Sequence, residues 1–234
     1  MAKSEENKTS TTKEYWQKNI EAYGKFYDKT SEEQIIASKP LAALYRAFIF
    51  PAERRLVLER YRKVIGFIER SVKPGMRVVD LGCGTGVFTT ELLLRGASVI
   101  AVDYVETALT ATKKRVIEML PEKQSNIEYL FLDVMEKPLP KSDVVIAIGV
   151  APYIDSIETF MNHILPTTDR FYCLFLNKYH WINRVRRLLR FLNVRRYRYS
   201  DDKIIKELLT KDGFLLVSRE KIATGYLDEI ERKK

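Results

Sequence analysis

The segment Val78-Val79-Asp80-Leu81-Gly82-Cys83-Gly84-Thr85-Gly86 carries an acid followed by three alternate glycines. Glycines at that density let the backbone turn sharply and approach a ligand where a Cβ would collide. Three kinds of nucleotide-type chemistry use such a loop. A phosphate-binding P-loop ends in Gly-Lys-Ser/Thr, but this one continues into Val87-Phe88, which excludes that reading. The dinucleotide fingerprint wants glycine at its first, third and sixth positions; Gly82 and Gly84 supply two, and the sixth is Val87. The third kind is a cradle for a ligand without phosphate. Asp80 would repel a pyrophosphate and tolerate a cationic sulfonium and ammonium group.

Two later carboxylates sharpen the choice. Asp103 closes the run Val99-Ile100-Ala101-Val102-Asp103. It lies about 20 residues past the loop, where an acid can accept from both ribose hydroxyls. Alone, that feature suits NAD or adenosylmethionine equally. Asp133 closes Tyr129-Leu130-Phe131-Leu132-Asp133, where it could accept from an adenine amino group. Any one acid fits an ordinary N-cap or turn. Three at the ends of three successive strands argue for a site.

Those strands come from the texture after Lys73-Pro74-Gly75. Short β-branched runs at Arg77–Leu81, Ser98–Val102, Ile127–Leu132, Val144–Ile148 and Phe171–Leu176 alternate with helical stretches at Val87–Arg95, Glu106–Met119 and Ile157–His163. Strand and helix in this rhythm specify a parallel sheet covered on both faces, with ligands at the carboxyl ends of its strands. A helix at Asp201–Lys211 precedes two runs, Phe214–Val217 and Ile222–Tyr226, spaced to pair as an antiparallel hairpin across Arg219-Glu220-Lys221. The fold class expected is α/β: a doubly wound, seven-stranded, mostly parallel sheet with a terminal antiparallel hairpin and N-terminal helical cover. Residues 1–13 suggest a flexible tail and 14–72 a set of helices over the site. Residues 73–234 make the core, with a basic helical insertion at about 178–198.

These motifs resemble the class I (Rossmann-like) S-adenosylmethionine-dependent methyltransferases over residues 70–226. The first family motif appears as Asp80 to Gly86, the ribose-binding acid as Asp103 and the adenine-contacting acid as Asp133. The motif of the fourth strand appears as Ser142-Asp143-Val144-Val145-Ile146-Ala147-Ile148-Gly149-Val150. The resemblance implies S-adenosylmethionine as cofactor. Asp80, Gly82, Cys83, Gly84 and Gly86 would surround its methionine part and Asp103 with Tyr104 its ribose. Leu132, Asp133 and Val134 would frame its adenine, and Ile148 would lie near the sulfonium. The chain also looks like O-methyltransferases acting on ubiquinone precursors or magnesium-protoporphyrin, through Trp16, Tyr27-Asp28, Tyr199-Ser200, Gly213-Phe214 and Tyr226.

The acceptor is harder to read, because displacement at a sulfonium carbon needs alignment and dryness more than an invariant nucleophile. The loop Gly149-Val150-Ala151-Pro152-Tyr153-Ile154-Asp155 lacks the Asp/Asn-Pro-Pro-Tyr signature of enzymes acting on exocyclic amines. Where the O-methyltransferases that the chain resembles commonly carry a histidine, this loop offers Tyr153, which could orient an acceptor, act as base or pack on the cofactor. His180, in Asn177-Lys178-Tyr179-His180-Trp181, is a second candidate base. His163, in a helix remote from the strand ends, reads as structural. No Asp/Glu/His cluster has metal spacing, so no metal is expected.

Between Lys178 and Arg198 there are eight Lys/Arg residues and no carboxylate. Ile182, Val185, Leu189 and Leu192 fall on one helical face, beside Arg184, Arg186, Arg187 and Arg190. Three readings fit: a solvated amphipathic helix, a lid whose Arg186, Arg187 and Arg190 clamp an anionic acceptor, or a helix resting on an anionic membrane surface. Tyr27 is a further acceptor-binding candidate, and Arg46, Arg54 and Arg55 could complete the pocket. The formal charge of +9, from 40 Lys and Arg against 31 Asp and Glu, agrees with acidic partners. Two cysteines far apart form no disulfide framework, and no apolar run reaches the roughly 18 residues of a spanning helix. The expectation is a cytoplasmic protein, peripheral at a membrane at most, that methylates a small anionic acceptor at oxygen. N-methylation of an amine or amino sugar, an RNA-binding relative and a catalytically silent cofactor-binding subunit are the alternatives.

Overall fold

The computed structural model describes residues 13–17, 20, 24, 42–44, 46, 47, 50–188 and 197–234. Within them lies one seven-stranded sheet of order β3-β2-β1-β4-β5-β7-β6. Its strands are β1 (Arg77–Leu81), β2 (Ser98–Asp103), β3 (Ile127–Phe131), β4 (Ser142–Ala147), β5 (Thr168–Leu176), β6 (Phe214–Ile222) and β7 (Gly225–Arg232). The first five run parallel, while β7 lies antiparallel to both β5 and β6. β1, β2 and β4 are continuous β-branched runs buried on both faces, the pattern of central parallel strands. β3, at the edge, is half exposed.

The helices are α1 (Phe50–Ser71), α2 (Val87–Leu94), α3 (Glu106–Met119), α4 (Ile157–Ile164), α5 (Trp181–Leu188) and α6 (Asp202–Lys211). They divide the core in two. Val64, Phe67 and Ile68 of α1 pack with Leu92 and Leu93 of α2 and Val116 of α3 on one side of the sheet. There the Phe67 ring stacks on Tyr172 of β5. Phe160, Met161 and Ile164 of α4 pack with Ile205 and Leu209 of α6 on the other. Ser156 caps α4 by accepting from the Thr159 amide at 3.1 Å. Ser156→Ala should therefore lower stability by about 1 kcal/mol, read as a shifted urea midpoint at unchanged slope.

One expectation is corrected. The hairpin turn is not at Arg219-Glu220-Lys221 but at Ala223-Thr224, with Ala223 at φ 45°. β6 runs on through its polar residues because they are paired across the hairpin. Arg219 donates to both oxygens of the fully buried Asp228, at 2.8 and 2.7 Å. α5 is anchored by a polar side chain. Asn183, fully buried, donates to the Asn177 and Thr224 carbonyls at 2.8 and 2.9 Å, so α5 is held by an amide and Val185 faces out. Residues 1–12, Leu189, Arg190 and Leu192 lie outside the described residues, as do most of the expected first two helices.

Candidate active site

The parallel strands end in one large cavity of about 1850 Å³. Its cofactor-sized end is built by the turn after β1. Gly82 takes φ 72° and Gly84 φ 60°, left-handed conformations that side chains disfavour. The turn is pinned to β2, the Gly82 and Cys83 amides donating to the Val102 carbonyl at 2.8 and 3.2 Å. A Cβ on Gly82 would lie 2.3 Å from Val150 Cγ2, so β4's loop and the glycine turn touch directly. Asp103, at the end of β2, accepts from the Gly84 amide at 3.1 Å and the Val105 amide at 3.0 Å. Burial lifts its carboxyl to about 6, against the pull of those backbone donors. Gly82, Cys83, Gly84, Asp103, Tyr104, Leu132, Asp133, Val134 and Ile148 line the cavity.

Two residues proposed from the sequence stand elsewhere. Asp80 is 3% exposed and does not line the cavity. Its carboxylate accepts the Thr89 hydroxyl of α2 at 2.5 Å, tying strand to helix beneath the loop. Burial, with some repulsion from Asp103, raises it to about 7 against the Thr89 bond, so it is no full counter-charge for a sulfonium. Gly86, at φ 75°, begins α2, where a Cβ would press within 2.9 Å of Thr112 on α3. Gly86 thus serves helix packing. Asp133 accepts from the Met135 amide at 2.9 Å through one oxygen.

The far end of the cavity is aromatic and basic. Tyr153 ends a short 3-10 turn, Ala151–Tyr153. Its ring meets Trp16 edge-on at 5.2 Å and Tyr197 at 5.6 Å. Burial and Tyr197 drive its phenol pKa far up, so it stays protonated. His180 lines the cavity, and its Nδ1 accepts from the Ile182 amide at 3.3 Å. With that bond the neutral ring carries its proton on Nε2. His163 Nδ1 donates to the Val134 carbonyl at 2.7 Å, a structural bond across the fold. Arg187 lines the cavity; Tyr27, Arg190 and the side chain of Arg186 lie outside the described residues.

The sequence reading overlooked several lining residues. Arg60, not Arg46, Arg54 or Arg55, reaches the cavity from α1, because Glu53, Leu56, Val57 and Arg60 share one helical face. Arg198 lines it while bonded to Asp155 at 2.6 Å. Trp16, Ile20 and Gly24, spaced four apart, run along the cavity from Tyr153 to the glycine turn, Gly24 so close to Thr85 that a Cβ would sit 2.5 Å from it. That spacing was the available signal. Among the described residues no cluster of three or more His, Cys, Asp or Glu could hold a metal.

A family model described as "Methyltransferase domain" matches residues 79–167, the segment that supplies the cradle, Asp103, Asp133 and Tyr153. Residues 79–167 of the chain thus match a methyltransferase domain. Curated relatives of this domain include a magnesium-protoporphyrin O-methyltransferase of Rhodobacter capsulatus, 38% identical over 79 residues, 34% of each chain. Another is a mitochondrial ubiquinone biosynthesis O-methyltransferase of Schizosaccharomyces pombe, 31% identical over 96 residues, 41% of this chain and 35% of that one. The chain thus spans about a third of the length of these curated relatives. The methyltransferase fold extends further. The crystal structure of magnesium protoporphyrin IX methyltransferase from Synechocystis PCC 6803 with bound SAH superposes at TM-score 0.69 and 18% identity, covering 89% of this chain and 97% of that one.

The residues present fit the cofactor of such a domain. A Cβ on Gly82 would collide with Val150, the Asp103 carboxylate is buried beside the glycine turn, and Leu132 and Tyr104 line the same cavity, a set that could take an adenosine-bearing cofactor. Among the described residues no helix is long and apolar enough to cross a membrane.

Proposed function

We propose that this protein transfers a methyl group from adenosylmethionine to a small anionic acceptor, at oxygen. The observation that carries the reading is the continuity of one cavity. It runs from the glycine cradle and Asp103 to an end bearing Arg60, Arg187 and Arg198 among Trp16, Tyr153, Tyr197 and Tyr199. Bound adenosylmethionine supplies a methyl group already activated on sulfonium. The chain's own residues then have three tasks. Gly82, Gly84, Asp103, Leu132 and Asp133 hold the cofactor. Tyr153, Trp16 and Tyr197 exclude water and orient the acceptor. The arginines favour an ionised acceptor oxygen, so no protein base is required, in keeping with the protonated phenol of Tyr153. The O-methyltransferase names of the curated relatives support oxygen as the methylated atom. A cytoplasmic setting and a division into N-terminal cover, core and basic insertion belong to the same reading.

Calorimetric titration with adenosylmethionine, its demethylated product and NADH tests the cofactor, and transfer of labelled methyl to phenolic and carboxylic acids tests the acceptor. Saturable binding of the first two without NADH is expected, as is turnover with ionised acceptors. Arg60→Gln should raise the acceptor KM about tenfold while cofactor affinity stays within about twofold. NADH binding alone, or turnover confined to amines, would overturn the proposal.

A further inference from the structure

On the outer face of α5, Trp181 is 69% exposed, Val185 40% and Leu188 83%. Residues four and three apart on a helix lie above one another, so these form one stripe two turns long. Arg184 and Arg187, both exposed, flank it. A helix that covered the core would carry its apolar residues inward. Here the inward anchor is the Asn183 amide, bonded to the Asn177 and Thr224 carbonyls, and the apolar side is turned to solvent. The helix therefore keeps its place on the fold while leaving a large indole and two aliphatic side chains uncovered, which an isolated soluble surface does not favour.

We infer that α5 docks on an anionic lipid bilayer, with Trp181, Val185 and Leu188 entering the interface and Arg184 and Arg187 meeting the headgroups. Charge selects this occupant. No carboxylate occurs between Lys178 and Arg198, against eight Lys and Arg residues, so this stretch of chain supplies nothing to repel an anionic surface. An indole is the side chain that prefers the boundary between headgroups and acyl chains, and arginine stems reach from an apolar layer to phosphates. The alternating apolar and basic positions make an interfacial helix rather than a spanning one. Trp181, Ile182 and Arg187 also line the acceptor end of the cavity. Docking through α5 would set that end against the bilayer, so an amphiphilic acid could pass from lipid to cavity without crossing water. The lipid contact itself does not depend on which acceptor is used.

Co-sedimentation of the full chain with phosphatidylcholine vesicles, and with vesicles containing roughly a third phosphatidylglycerol, tests this. The chain has two tryptophans, Trp16 and Trp181. In a Trp16→Phe background, emission from Trp181 should move to the blue on adding anionic vesicles. Partitioning should be at least about tenfold stronger on anionic than on neutral vesicles, and should weaken as salt rises. Val185→Ser with Leu188→Ser should reduce it about tenfold or more, and Arg184→Gln about fivefold. None of these three lines the cavity, so calorimetric binding of adenosylmethionine by each variant reports that it is folded and tests the cofactor reading separately. Absence of partitioning, or partitioning indifferent to Val185, Leu188 and Arg184, overturns the inference. So does a dimer in sedimentation velocity that the double serine variant dissolves, which would assign the stripe to a second copy of the chain.

Discussion

Affinity for adenosylmethionine should fall about tenfold for each pH unit below about 6, and this dependence should disappear in Asp103→Asn. The ionised carboxylate is the form that accepts from ribose hydroxyls, so protein with a protonated Asp103 must release its proton to bind. Burial holds the Asp103 carboxyl at about 6, the amides of Gly84, Val105 and Tyr104 pulling the other way. Above that value the group is already ionised and affinity is flat; below it, each unit leaves a tenth as much competent protein. The titratable groups around it are Asp80, Cys83, Tyr104 and Asp133. Cys83 and Tyr104 are held protonated by burial and by their acidic neighbours, so they do not titrate in this window. Stability without ligand carries the opposite sign. Asp103 and Asp80 have folded pKa values of about 6 and about 7, above the carboxylate range of an unfolded chain. Their stabilising contribution is complete below about pH 4 and is lost as pH rises through 6 and 7. The cofactor should consequently raise the melting temperature more at pH 7.5 than at pH 5. At pH 7.5, Asp103→Asn should weaken binding by about 1.5–3 kcal/mol, the scale of a lost charge-assisted bond. Calorimetry across this range measures all three, and an unchanged affinity in the folded variant would remove Asp103 from the site.

The succession of strands and helices along the chain and the position of the cradle were legible because both are local. β-branched runs between helical periods announce parallel strands, and Gly82, Gly84 and Asp103 sit where strand ends must place them. What escaped was decided by neighbours distant in sequence. Asp80 belongs to the same motif as the glycines, yet Thr89, one helix later, takes its carboxylate out of the cavity. The hairpin turn moved because Arg219 found Asp228 across the strands, and no Asn-Gly or Gly-Gly pair marks Ala223-Thr224. Ile182 and Val185 share a helical face by spacing, but spacing does not say which way that face turns. One buried amide, Asn183, anchors the helix and leaves Val185 exposed. Trp16, Ile20 and Gly24 were readable as a helical face, but nothing local says that the face closes on Thr85 and Tyr153.

Gly82→Ala should be the most damaging single methyl addition at this site, and its rescue should be incomplete in an informative way. Two separable faults arise. The residue must hold φ 72°, which costs a side chain roughly 1–2 kcal/mol. Its new Cβ would also lie 2.3 Å from Val150 Cγ2, an overlap that forces movement of β4's loop and costs about 1–3 kcal/mol. The sum, about 2–5 kcal/mol, falls on the segment that presents both the Gly84 amide to Asp103 and Tyr153 to the cavity. Cofactor affinity should therefore drop more than thirtyfold, roughly 2 kcal/mol, alongside the lost stability. Val150→Ala removes Cγ2 and so the overlap, but it leaves the dihedral strain untouched. In the Gly82→Ala, Val150→Ala double variant, denaturation should thus recover the second part and not the first, giving a favourable coupling of about 1–3 kcal/mol between two positions 68 residues apart in the chain. Simple additivity in that cycle would mean the two loops do not touch, and the cradle would then have to be held by β2 alone.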